Sequence, residues 1–273
     1  MMRDVAATAR PEFEALAHGA MAHRWQDQVI DDLRERIRQI ERTTVVRHGV
    51  LSFGVTALDN RLPEQGLALG ALHEIAGGSL GAVHGAAVAL FAAGILARLK
   101  GPVLWCLTSR DLFAPALAGV GLHPDRVIYV EAGDENTVLL AAEEGLRHGG
   151  LAGVVGELAR LPMAVSRRLQ LAAESSGVVA LILRRWRNET AAAEFGSPTA
   201  AASRWRITAL PSTPQPTAGV GRARWHVELV RCRNGEAFAC EMEACDAEGY
   251  LALPANVADR SVSPAIERRT ALA

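Results

Sequence analysis

Between Ala71 and Leu90 the chain reads Ala-Leu-His-Glu-Ile-Ala-Gly-Gly-Ser-Leu-Gly-Ala-Val-His-Gly-Ala-Ala-Val-Ala-Leu. Glycines at positions 77, 78, 81 and 85 follow a short apolar run and lead into an alanine-rich one. That order could turn backbone N–H groups toward a phosphate at a helix N-terminus, where unpaired amides and the helix dipole both favour an anion. Phosphoryl chemistry needs more: a lysine for the outer phosphates and a Ser or Thr hydroxyl for magnesium, directly after the closing glycine. With Gly85 closing the loop, those positions hold Ala86 and Ala87, and with Gly81 or Gly78 closing it no lysine follows either. His84 is the nearest substitute, and an imidazole is neutral for much of the time at pH 7. The expectation is a degenerate phosphate loop with no cofactor and no catalysis.

The acidic groups point the same way. Glu157, after the apolar run Leu151–Val155, stands where a nucleotide site places a metal-ordering carboxylate. A lone glutamate there is also a common helix-entry or salt-bridged residue. Asp111, at the end of Leu107-Thr-Ser-Arg-Asp, is a poor replacement for a water-activating glutamate, and Arg110 beside it would compete for it. No Ser-His-Asp grouping, HExxH helix or metal-ligand spacing stands out, so no metal is expected. His123 and His226 read as structural.

A second group of residues is basic and aromatic. Arg184, Arg185, Trp186 and Arg187, with Arg204, Trp205 and Arg206, flank the small, polar stretch from Asn188 to Ala202, which reads as a mobile loop or fraying helix. Such a cluster could track a single-stranded phosphodiester backbone and stack a base. It could dock a protein, since Trp and Arg are enriched in interface hot spots. It could equally be strand-edge arginines beside half-buried tryptophans.

The elements that would position these residues follow from hydrophobic patterning. Apolar runs at Leu72–Ala76, Val103–Leu107, Val127–Val130, Leu151–Val155 and Val178–Leu183 read as buried strands. Helical stretches at 86–99, 112–118, 137–147 and 163–175 alternate with them. That alternation requires right-handed crossovers and a mainly parallel sheet. Alternation at Arg204–Leu210, Ala223–Cys232 and Ala237–Ala244 predicts further strands, the last two joined at Asn234-Gly235 as an antiparallel hairpin. Before the core, Trp25, Val29, Ile30, Leu33, Ile37 and Ile40 recur at spacings of three and four, predicting an amphipathic helix over about 11–41. It packs on its own core or docks on a neighbouring subunit or partner. The expected organisation is an N-terminal helical segment (1–44), an α/β core (45–254) and a disordered tail (255–273).

Composition narrows the classes. The 273 residues are 49% hydrophobic and only 5% aromatic, which suits a parallel sheet under alanine-rich helices. A net charge of −1 argues against nucleic-acid binding through overall charge. Four cysteines without a CxxC pair read as buried or incidental thiols. Arg3 and Arg10 precede no signal-type apolar core, and the run Ala86–Leu99 is too short to span a bilayer, so the expectation is a cytoplasmic protein without membrane contact.

Several of these segments carry a resemblance. Phe53-Gly-Val-Thr-Ala-Leu-Asp59 and Gly66–Ile75 resemble the lead into the phosphate loop of RecA-type recombinases, and the distance from Gly85 to Gly101 suits the helix after it. Val103–Leu107, Leu112–Leu117, Gly121–Val127, Ser166–Ala173 and Glu243–Ala247 are similar to the bacterial ImuA family, RecA-like accessory factors of SOS-induced mutagenesis. The resemblance covers roughly Leu51 to Pro254. It implies a RecA-like core and a role beside ImuB, an inactive Y-family polymerase relative, and indirectly beside an error-prone C-family polymerase. RecA is a further implied partner, and the N-terminal helix, through Trp25, Ile30, Leu33 and Ile37, resembles the element with which RecA subunits reach a neighbour. A homo-oligomer fits that comparison. The rival expectation is an ATP- and DNA-binding ATPase with an atypical loop.

Overall fold

Short apolar runs bounded by glycine or proline become strands here, and alanine-rich runs between them become helices thin enough to pack closely on a sheet. The computed structural model describes residues 48–186, 188–212, 219 and 221–254, together with Gln28. The chain divides into two units, Met1–Val46 and Arg47–Ala273, and apart from Gln28 every described residue belongs to the second. The expected N-terminal helix with Trp25, Ile30, Leu33 and Ile37, the tail 255–273 and Arg187 lie outside the described residues.

In chain order the first elements are β1 (Val50–Leu51), α1 (Thr56–Asp59), β2 (Leu67–Ala68), β3 (Leu72–Gly77), α2 (Ala82–Ala97), β4 (Val103–Leu107) and α3 (Ala114–Ala118). Next come β5 (Val127–Glu131), α4 (Glu135–His148), β6 (Gly153–Leu158), α5 (Met163–Ser176) and β7 (Val179–Arg184). The chain closes with α6 (Glu189–Ala193), β8 (Ser203–Leu210), β9 (Arg224–Cys232) and β10 (Phe238–Glu243). β1 and β2 form a small antiparallel ribbon, and the other eight strands form one sheet in the order β10-β9-β8-β3-β7-β6-β4-β5. From β8 to β5 every pairing is parallel, while β8-β9 and β9-β10 are antiparallel. The expected α/β architecture with its C-terminal hairpin is the one observed. Asn234 takes φ 58 in the turn, the left-handed conformation that an Asn-Gly hairpin uses.

Each face of the sheet carries its own apolar core. On one side α2 buries Ala87, Val88, Phe91, Ala92, Ile95 and Leu96 against the odd-numbered residues of the strands, among them Trp105, Val155, Leu181 and Trp205. Phe91 lies 5.6 Å from Trp205 and 6.3 Å from Trp225, ring centroid to centroid, so the aromatics meet tilted or edge-on. On the other side α4 and α5 cover Cys106, Val154, Ala180 and Ile182. α4 is fixed at its start by Asp134, whose carboxylate accepts from the N–H groups of Asn136 and Thr137 at 2.8 and 3.0 Å, and it ends at Gly149 in the left-handed conformation.

Two boundaries matter for function. α2 begins at Ala82, four residues before the expected Ala86. Val83-His84-Gly85 reads as a loop in sequence, yet the buried face that starts at Ala87 carries the helix back one turn to Gly81. β6 runs to Leu158, so Glu157 lies inside a buried strand rather than after its end. The segment 188–202 is also ordered: α6 and a 3-10 turn at Glu194–Gly196 bring Phe195, Thr199 and Ala201 into buried positions.

Candidate functional site

The glycine loop is only the stretch between the end of β3 at Gly77 and the start of α2 at Ala82. Gly81 precedes the helix with φ 125 and ψ 155, a conformation that suits glycine, and is therefore the closing glycine. Of the three registers open in the sequence, with Gly85, Gly81 or Gly78 closing the loop, the helix start fits the second. The position after the closing glycine is Ala82 and the next is Val83, while Ala86 and Ala87 lie a full turn into the helix. Val83 is 68% exposed, an apolar side chain where a nucleotide site presents a hydroxyl. The Gly78 N–H donates to the Ile207 carbonyl at 3.0 Å, so this loop amide is committed to β8. His84 does not replace the lysine: its Nδ1 accepts from the Ala209 N–H at 3.2 Å, which ties the ring to β8.

Beside the loop lies a cavity of about 470 Å³ at the carboxyl ends of the parallel strands. Its floor is made of small α2 residues, and Asp111, Phe113, Glu135, Glu157 and Arg185 stand on its walls. Glu157 Oε1 accepts from Trp105 Nε1 at 2.9 Å, and its Oε2 lies 3.2 Å from Arg185 Nε. Burial raises the Glu157 pKa, with Arg185 and then Trp105 pulling it back. Arg185 also pairs with Asp111 through Nη2. A Cβ at Gly85 would stand 3.1 Å from Arg185 Nη1, so the guanidinium reaches the first turn of α2. Glu157 is thus a salt-bridged residue, as one of its sequence readings had it. Arg110 does not compete for Asp111; it pairs with Glu131.

One residue earlier, Arg184 turns to the opposite face of the sheet. Its Nη1 donates to Glu74 Oε2 at 2.9 Å, while Arg204 Nε donates to Glu74 Oε1 at 3.0 Å and the Thr199 hydroxyl to the same oxygen. Glu74 has no solvent exposure. The Phe195 ring packs under Arg184, Arg204 and Arg206, with guanidinium carbons 5.8, 5.1 and 5.8 Å from its centroid, and edge-on to Trp186 at 5.5 Å.

The basic-aromatic cluster is therefore divided. Arg184 and Arg204 are buried, and Trp205 is fully buried between Phe53 and Phe91. Arg185 and Trp186 line the cavity, and Arg206 is half-buried within reach of Glu228. The expected mobile loop between them is held by Phe195 and Thr199. Phe113, Glu135 and Val83 were not singled out from the sequence. Phe113 gave one signal, an aromatic in the polar turn after β4, and it is 69% exposed. The four cysteines are free thiols, and burial pushes Cys106 and Cys245 up to about 12. Among the described residues no group of three His, Cys, Asp or Glu could hold a metal ion, and no helix is long and apolar enough to cross a membrane.

No family model matches the chain. Two curated sequences of Caulobacter vibrioides, from strains NA1000 / CB15N and ATCC 19089 / CIP 103742 / CB 15, are both named Protein ImuA. Each is 39% identical over 208 residues, covering 72% of this chain and 84% of its own length. Among solved structures, the crystal structure of the RadB recombinase matches with a TM-score of 0.51 at 16% identity, over 75% of this chain and 99% of that one. This likeness establishes the fold as that of the RecA-like recombinases.

Proposed function

The chain belongs to the ImuA family, and on that premise we propose that it is a non-catalytic adaptor of an SOS-induced mutasome. It supports error-prone translesion synthesis through protein contacts, with ImuB as first partner and RecA as a second, from a cytoplasmic location. The observation that carries this reading is the sequence Gly81-Ala82-Val83 at the start of α2. A phosphate chain would meet two apolar side chains where it needs a cation and a metal-binding hydroxyl. The neighbouring Arg185 is already engaged by Asp111 and Glu157. An ATP-driven motor would have to overcome both.

The test is thermal melting with and without Mg-ATP, because a ligand at a hundred times its Kd stabilises the folded state by about 2.7 kcal/mol. No shift is expected at millimolar Mg-ATP. An upward shift that Gly81→Asp abolishes would show nucleotide binding at this loop and overturn the vacated-site reading. For the partner, co-elution with purified ImuB is expected. Binding unchanged by Trp25→Asp with Ile30→Asp would remove the N-terminal segment from the interface. The single-stranded DNA alternative has less support, since Arg184, Arg204 and Trp205 are buried.

A further inference from the structure

We propose that the cavity beside the vacated phosphate loop is a docking cleft for a partner-protein segment carrying a lysine or arginine flanked by apolar residues. The proposal rests on the reading that this cavity takes no nucleotide, and it names what the cavity takes instead.

Charge is the first argument. The lining residues include three acidic ones, Asp111, Glu135 and Glu157, and two arginines, Arg184 and Arg185. Arg184 shares the single carboxylate of Glu74 with Arg204 on the other face of the sheet, so its charge stays in the count. Arg185 faces Asp111 and Glu157, while Glu135 accepts from the neutral Ala159 N–H at 2.8 Å and has no cation partner among the described residues. With three carboxylates against two guanidiniums, the lining carries one net negative charge at the place where a nucleotide site must be positive. It repels phosphates and favours a cation. Asp111 is reachable, with its side chain 55% exposed.

The rim is the second argument. Phe113, from the turn before α3, lines the cavity, and Leu80 and Val83 are chain neighbours of its lining residues Ser79, Gly81 and Ala82; all three are exposed large apolar side chains. Exposed apolar groups gathered around a concave site mark a place where another surface sits. Ala82 and Ala86 present small side chains to the cavity, while the Arg185 guanidinium lies against Gly85 between them. A free inorganic cation would use the carboxylates and leave the rim in water. A polypeptide uses both, seating its basic side chain against Asp111 and Glu135 and its neighbours on Leu80, Val83 and Phe113. Nucleic acid is disfavoured by the same carboxylates.

The experiment selects random peptides of about twelve residues, displayed on phage, against the full chain and measures the winners by fluorescence anisotropy. The expected winners carry a lysine or arginine within two residues of Leu, Ile, Val, Phe or Met. Changing that basic residue to glutamate weakens binding about tenfold or more, a difference anisotropy resolves easily. Val83→Asp with Phe113→Asp weakens it comparably, while Leu171→Asp, an exposed apolar position on α5, leaves it unchanged. Each variant is checked by melting, so that loss of binding is read only from folded protein. Winners without a basic residue, binding indifferent to the Val83 and Phe113 changes, or no winners at all would overturn the proposal. A Mg-ATP melting shift would overturn the vacated-site reading beneath it. No shift together with no cleft-dependent peptide overturns the docking proposal alone.

Discussion

Two clusters of carboxylate and arginine lie one residue apart in sequence and on opposite faces of the sheet. At Arg184 the cluster is sealed: Glu74, Arg184, Arg204 and Thr199 are all buried, and every contact is internal. At Arg185 it is open: Glu157 is buried, but Asp111 is more than half exposed at a cavity mouth. The sealed cluster cannot exchange partners without unfolding its surroundings, so its role is to hold β3, β7, β8 and the segment 188–202 together. The open one can admit another charged group at little cost. The same residue types therefore do structural work on one face and offer recognition on the other, and burial decides which.

The largest predicted effect tests the sealed side. Glu74→Gln leaves two buried guanidiniums without a counter-charge and should cost about 3–5 kcal/mol in urea unfolding. A loss under 1 kcal/mol would mean that water reaches the cluster. Phe195→Ala removes the ring beneath three arginines, and about 3 kcal/mol of destabilisation is expected, with faster proteolysis within 188–202 as the local readout.

Next in size is a pH effect from His73, the neighbour of Glu74 on β3. Its Nε2 donates to the Ala68 carbonyl at 2.8 Å, and its Nδ1 accepts from the Ser203 hydroxyl at 2.7 Å. Burial lowers its pKa to about 4 from the ordinary 6.5. A folded pKa below the unfolded one means that the unfolded chain takes up a proton first as pH falls. Stability is therefore undiminished above pH 6.5 and declines from there toward pH 4. About 2 kcal/mol should be lost by pH 5, and His73→Gln should flatten that part of the profile. The smallest effect belongs to the open cluster. Asp111→Asn should change stability by less than about 1 kcal/mol, because an exposed pair contributes little and Arg185 keeps Glu157. If Asp111→Asn costs as much as Glu74→Gln, the contrast between the faces is wrong.

The alternation of strands and helices was legible because buried parallel strands leave continuous apolar runs and their connections carry glycine and proline. The hairpin was legible from Asn234-Gly235 for the same local reason. The start of α2 was not, since Val83-His84-Gly85 resembles a loop until the buried face at Ala87, Val88 and Phe91 is seen to extend back to Gly81. The two clusters were least legible. A run such as Arg184-Arg-Trp-Arg reads as a solvated surface, and nothing local announces that its counter-charge is Glu74, 110 residues earlier. Phe195, the one aromatic in a small, polar stretch, was the available sign that 188–202 is anchored. In β8, alternation did separate Arg204 and Arg206 from Trp205 and Ile207, but not which side would be dry.

The placement of β3 also bears on how the protein is made. This strand, which carries the glycine loop, lies between β7 and β8, with Leu72 opposite Ala180 and His73 opposite both Leu181 and Ser203. A ribosome adding about 5–20 residues per second needs roughly 5–20 s to travel from β3 to β7, and longer to reach β8. During that interval an apolar central strand has emerged and has neither neighbour. Nascent chains of this protein are therefore expected to need chaperone cover until β7 and β8 have been synthesised, and the strand at the centre of the sheet is among the last to be paired.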